Sequence, residues 1–294
     1  MELLFVIKQK VMRKTYSRTA SLTIIALIYL VAGAVGLGIY CWAAARMPEI
    51  WALLVADVVA TVVVWGFGLV FENVSVYDPY WSVAPPVMFT LWAFHRGSLT
   101  LPVALLLVAV WYWGIRLTLN WAGGFKGLAH EDWRYTRYRG SQSPVLFFLT
   151  NLFGLNMMPT LLVFACMLSG FSLFDAAAPA NALTWLGFAV CLASASIQLV
   201  ADTQIHRFRA EHPGCFCDVG LWKHGLHPNY FGEIMMWWGV WVMAASLRGI
   251  DWLILGPVAM TCLFLFVSIP MMERRQLENK PGYAEYRSRT RILI

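Results

Sequence analysis

The chain has 294 residues, of which 60% are hydrophobic and only 13% charged, with a mean hydropathy of +0.63. That excess of apolar surface excludes an ordinary soluble domain and identifies an integral membrane protein. The formal net charge is +6, but the basic residues are dispersed around apolar segments and no nucleic-acid-binding motif is present, so sidedness in a bilayer explains them better.

The first stretch, MELLFVIKQKVMRKTYSR, is basic without a small-residue cleavage site, and reads as an interfacial anchor over residues 1–19 rather than a removed signal peptide. Residues 20–294 then read as one membrane-embedded domain. Eight apolar segments can span, at roughly 20–42, 50–71, 79–95, 99–120, 145–170, 182–203, 231–247 and 251–270, since about 20 residues cross a bilayer and shorter runs can do so when packed against protein. The third and seventh are short. The expected fold is therefore an all-α multi-pass bundle of about eight spans, with seven as the alternative.

Within the first span, GAVGLG fits a dinucleotide fingerprint loosely, but no strand precedes it and close helix packing is the better reading. The second and eighth segments carry Asp57 and Asp251, read as bundle-facing or interfacial acids. The basic clusters support eight spans: Lys8 to Arg18, Lys126 to Arg139, Arg207 to Lys223 and Arg274 to Arg291 then share one side, which the positive-inside rule makes cytoplasmic, with both termini. A bacterial inner membrane is favoured over the endoplasmic reticulum. The six cysteines include only one close pair, Cys215 and Cys217, so neither a disulfide framework nor a metal site is expected.

Polar chemistry gathers at five places. In VYDPYWSVAPP, Asp78 either caps a helix start or, in a dry pocket, becomes a proton donor. In WYWGIRLTLN, Arg116 either snorkels to the interface or faces inward and needs an anionic partner such as phosphate; Tyr112 lies four residues away on nearly the same helix face. HEDWRYTRYRG is a loop suited either to solvent or to holding phosphate oxygens. In SIQLVADTQIHRFRAEHP, Gln198, Asp202, His206 and Arg209 mark a helix end; the last three share a side that could bind ribose or diphosphate, or simply pair internally. In LWKHGLHPNYFGE, Pro228 suits a first helical turn, so His227, Asn229 and the following amides stand at an anion-welcoming end, and Glu233 sits one turn further in.

These residues, with the terminal YAEYRSRTRIL, resemble the steroid 5-alpha-reductase superfamily from about residue 75 onward, and in particular its bacterial membrane branch. Sterol reductases and isoprenylcysteine carboxyl methyltransferases share the pattern. The resemblance implies a helical enzyme that binds NADPH without a Rossmann fold and reduces the carbon-carbon double bond of a lipid-soluble enone, steroid-like or otherwise. It places Asp78 and Tyr112, or Trp113 in the alternative register, beside the substrate carbonyl. Arg116, Gln198, Asp202, Arg209, His227, Asn229, Tyr230, Glu233, Tyr286 and Arg289 fall to the cofactor side. Two departures bear on cofactor binding: Gly225-Leu226-His227-Pro228 stands where the family usually reads Ser-Arg-His-Pro, and the chain ends at Ile294, before a proline that commonly follows the last arginine. An S-adenosylmethionine-dependent methyltransferase and a non-enzymatic lipid-binding bundle are the competing expectations.

Overall fold

The computed structural model describes residues 16–97 and 99–294. The expected anchor, apart from its last four residues, lies outside the described residues, as do Lys8, Lys10, Arg13 and Lys14. The fold is all-helical, and the described residues form no strand beyond an isolated bridge between Gly225 and Arg291.

Eight long helices answer the eight apolar segments: α1 (Arg18–Ala44), α2 (Glu49–Val70), α3 (Tyr80–Arg96), α4 (Leu101–Gly124), α6 (Pro144–Asp175), α7 (Ala182–Glu211), α8 (Pro228–Arg248) and α9 (Trp252–Asn279). Two short helices, α5 (Trp133–Ser141) and α10 (Tyr283–Arg289), complete the set among the described residues. Six of the long helices are long and apolar enough to cross a membrane. The two that fall short are α3, with 17 residues and two internal prolines, and α8, which carries Glu233 near a tryptophan-rich run. They are the third and seventh segments; α3 is short as read, whereas α8, with 21 residues, is longer than the expected 231–247 and falls short in hydropathy rather than in length.

Local chemistry sets the ends. Ser17 caps α1 by accepting from Ala20 N at 3.2 Å. Asn181 opens α7 with a reciprocal capping box to Thr184, and Asp251 caps the turn into α9 through Leu253 N. Pro228 occupies the first turn of α8, where its missing N–H costs nothing. HEDWRYTRYRG, read as a loop, contains α5: Asp132 caps it by accepting from Arg134 N at 2.9 Å, a short-range signal that the run of charges obscures.

The chain divides into two compact units. The first comprises the described part of Met1–Trp81 together with Thr118–Leu161, and the second comprises Ser82–Leu117 and Leu162–Ile294. In the first, α1 packs along α2; a Cβ at Gly36 would rest at 3.4 Å from Ala56 O and Ala60 Cβ, whereas Gly33 and Gly38 face open space, so close packing accounts for one glycine of the three. Residues Thr150–Met157 of α6 form a π-helical stretch against α2, a widening often found near polar sites.

In the second unit α7 and α8 make the most extensive contact of any helix pair. Glycine permits it: a Cβ at Gly187 would come within 2.7 Å of Gly239 O, and one at Gly232 within 2.6 Å of Ser194 O. Small residues at such a seam let two backbones approach and bring their polar side chains within bonding reach. This contact sets Gln198 and Glu233 side by side.

Candidate functional site

The second unit holds a buried polar network drawn from α4, α7 and α8. Arg116 is buried (6% exposed) and does not snorkel. Its Nη1 donates to Asp202 Oδ2 at 2.7 Å, and its Nη2 donates to Gln198 Oε1. Gln198 Nε2 passes a bond on to Glu233 Oε2 at 3.1 Å. Glu233 also accepts from Trp113 Nε1 at 2.9 Å and from Trp237 Nε1 at 3.1 Å, and the two indoles meet edge to face at 5.3 Å. Asn229 Nδ2 donates to the second oxygen of Asp202 at 3.2 Å. An ion buried among apolar helices persists only with such partners.

Five of the residues singled out in the sequence, Arg116, Gln198, Asp202, Asn229 and Glu233, are thus joined in one network. Trp113 joins them. Tyr112, one position earlier, turns to Ser196, 3.1 Å away; Ser196 spends its proton on Leu192 O at 2.8 Å, so the Tyr112 hydroxyl is the donor in that pair.

Arg116 Nε is buried without a hydrogen-bond partner among the described residues. An unmet guanidinium donor is what a ligand oxygen would satisfy.

Arg209 and Arg289 are exposed. Arg209 lies within electrostatic range of Asp202, Tyr230 and Cys217, and Lys280 lies within range of Arg209. Burial, and then the positive charge of Arg209, lower the Lys280 ammonium below its usual range. Arg209, proposed from sequence, therefore meets a cation that sequence reading missed. Arg289 faces Glu285 at 3.8 Å.

Around the start of α8, His227 (5% exposed) pairs with Glu273 Oε1 at 3.0 Å and stacks on Tyr230 at 5.1 Å. Glu273 accepts further bonds from Tyr283 and Arg287. Tyr286 donates to Trp222 O and stacks on Phe216 at 4.9 Å. Leu226, where the resemblance leads one to expect arginine, is buried against Tyr283 and Tyr286. Tyr283 and Arg287 lie in the YAEYRSRTRIL stretch but are not among the site residues expected from sequence, and Glu273 does not stand out, because an acid among basic tail residues reads as solvated surface.

The first unit holds two acid–tyrosine pairs. Asp78 lies just before α3, and its Oδ1 accepts from Tyr135 of α5. Burial pushes the Asp78 carboxyl up to about 6, partly offset by the Arg134 charge and the Tyr135 hydroxyl. Burial and the Asp78 charge raise Tyr135 in turn. The second pair is Asp57, whose Oδ1 accepts from Tyr80 at 2.7 Å. Nearby, Thr160 bonds both Tyr77 and Thr61, at 2.7 and 2.8 Å. The reading of Asp57 as bundle-facing holds, with a tyrosine partner that sequence could not supply.

An all-helical membrane chain with a buried Arg–Asp–Asn and Gln–Glu–Trp network defines the class of protein. Residues 64–290 match the model of the family described as "Protein of unknown function (DUF1295)", and the chain belongs to that family. No curated protein and no solved structure matches the chain.

Proposed function

We propose that the protein is a membrane-embedded oxidoreductase of the steroid 5-alpha-reductase superfamily, using NADPH to reduce the carbon-carbon double bond of a lipid-soluble enone. The observation that carries this reading is the convergence of Arg116, Gln198, Asp202, Asn229 and Glu233 in one buried network. Those are residues that the resemblance assigns to the cofactor side.

The residues fit a dinucleotide in a particular way. Arg116 is largely spent on Asp202 and Gln198, so the network suits hydroxyl and amide groups, with Arg116 Nε as a spare donor. Phosphate oxygens match the exposed cations Arg209 and Arg289, and Lys280 adds to them. Bound there, the nicotinamide would supply a hydride. Tyr112, whose single hydroxyl hydrogen would turn from Ser196 to the substrate, is the proposed proton donor to the carbonyl oxygen, stabilising charge as it develops in the enolate. The surrounding apolar helices exclude water and strengthen those bonds. Asp78 and Asp57 are the proposed acidic groups of the first unit. The proposal keeps the network near the cytoplasmic face, with both termini cytoplasmic in a bacterial inner membrane.

The test is NADPH oxidation by the purified full-length chain with a panel of steroid and lipid enones. Turnover that drops in Asp78→Asn but not in Asp57→Asn, or the reverse, identifies the acid that serves the reaction. No binding and no oxidation across the panel would remove the proposal.

A second reading, an S-adenosylmethionine-dependent methyltransferase, draws on two observations. Arg116 is neutralised by Asp202, and Leu226 is packed where a basic side chain would stand, both of which lower the capacity for phosphate. Thermal stabilisation by NADPH against that by S-adenosylmethionine separates the readings, and stabilisation by neither points to the non-enzymatic lipid-binding alternative.

A further inference from the structure

We infer that Glu273 is a positioning residue whose carboxylate fixes the C-terminal segment as a wall of the proposed nucleotide site; the inference rests on the dinucleotide reading above. Glu273 lies on α9 and is 5% exposed. Its Oε1 takes His227 Nε2 at 3.0 Å and the Tyr283 hydroxyl at 2.6 Å, and its Oε2 takes Arg287 Nε. One carboxylate therefore binds three donors from two segments: the turn before α8 and the helix after α9.

Each bond has a consequence on the side facing the network. A carboxylate only accepts, so Nε2 of His227 carries the hydrogen and the ring orientation is set. That ring lies flat on Tyr230, with an interplanar angle of 7°. Tyr230 follows Asn229, whose amide holds Asp202, and Asp202 holds Arg116. A continuous line of contacts thus runs from Glu273 to the buried ion pair.

On the other side, Tyr283 meets Tyr286 edge to face at 5.7 Å, and Tyr286 is bonded to Trp222 O. Beyond α10 the tail returns to the same turn, where Leu226 N donates to Arg291 O at 2.8 Å beside the Gly225–Arg291 bridge. Arg289, a proposed phosphate ligand, lies between these fixed points. Its position follows from the clamp.

The test uses the detergent-solubilised full-length chain with two readouts: the rate of tryptic cleavage after Arg287, Arg289 and Arg291, and the NADPH Kd from nucleotide fluorescence. Glu273→Gln keeps the shape and removes the charge; it is expected to cleave about tenfold faster without nucleotide and to bind NADPH about tenfold more weakly. Tyr283→Phe, which keeps the ring and removes one of the three donors to Glu273, is expected to shift both readouts in the same direction by a smaller factor, and it decides the matter if Glu273→Gln does not fold. A tail as protected in Glu273→Gln as in wild type overturns the clamp, and an exposed tail with an unchanged NADPH Kd overturns the positioning role. Wild-type protein that protects its tail but binds no NADPH refutes the dinucleotide reading instead, which keeps the two failures distinct.

Discussion

Arg116 and Asp202, 86 residues apart in sequence, form a buried ion pair with 2.7 Å between Nη1 and Oδ2 and side chains only 4% and 12% exposed. Removing one partner leaves the other charged and unpaired in an apolar bundle. Arg116→Met is therefore expected to destabilise the protein by about 3–5 kcal/mol, and the double variant Arg116→Met/Asp202→Asn should recover a substantial part of that loss. Unfolding of the four proteins of this cycle in one detergent measures the coupling; a double variant no more stable than Arg116→Met alone would contradict the pairing.

Glu233 accepts three N–H bonds, from Trp113, Trp237 and Gln198. Glutamine at this position has one carbonyl oxygen and an NH2 group that faces donors, so at least one buried donor loses its acceptor. Glu233→Gln should cost about 1–3 kcal/mol. Near-ultraviolet circular dichroism should change as well, because the Trp113–Trp237 geometry depends on the shared carboxylate. An unaltered spectrum together with unaltered stability would rule out the shared acceptor.

The α7–α8 seam depends on the absence of side chains at Gly187, Gly232 and Gly239. A Cβ at Gly232 would stand 2.5 Å from Gln198 Cγ, so Gly232→Ala should displace Gln198 and cost about 1–3 kcal/mol through overpacking. Alanine at Gly33, inside α1 and with nothing within 4 Å, should not destabilise the protein and should add up to about 1 kcal/mol through helix propensity. Thermal unfolding of the two variants provides the comparison.

Asp78 gives a pH dependence of definite sign. Its carboxyl titrates at about 6 in the folded chain against an ordinary 3.8, so below the lower value it is protonated in both states and its burial is fully tolerated. As pH rises from 3.8 towards 6, the unfolded chain gives up this proton while the folded chain still holds it, so the folded state loses stability until both are ionised above about 6. Asp78→Asn cannot ionise. The melting temperature of wild type relative to Asp78→Asn should therefore fall between pH 4 and pH 7, and a difference that stays flat or rises across that interval would contradict the buried carboxyl.

Much of the architecture was legible because lipid imposes simple demands: a helix must be long and apolar, its ends must be capped, and interrupted runs stand out. Hence the eight apolar segments, the short third, and Pro228 at the start of α8 could be read directly. The α5 helix could not, since its start depends on Asp132 capping a stretch whose composition is that of a loop. Candidate site residues were legible where an ionisable group sat in an apolar run, as Arg116 and Glu233 do. Glu273 escaped notice because it lies among basic tail residues, and only folding buries it.

The sequence by itself determined that this is a helical membrane protein and which polar residues sit where lipid makes them costly, because burial cost per residue is a local property. Only the tertiary structure decided the partners: that Arg116 meets Asp202 rather than solvent, that Trp113 rather than Tyr112 reaches Glu233, and that Glu273 ties His227 to the tail. Partner choice depends on which helix faces approach closely, and that approach is set by glycine contacts such as Gly187 with Gly239, between segments far apart along the chain.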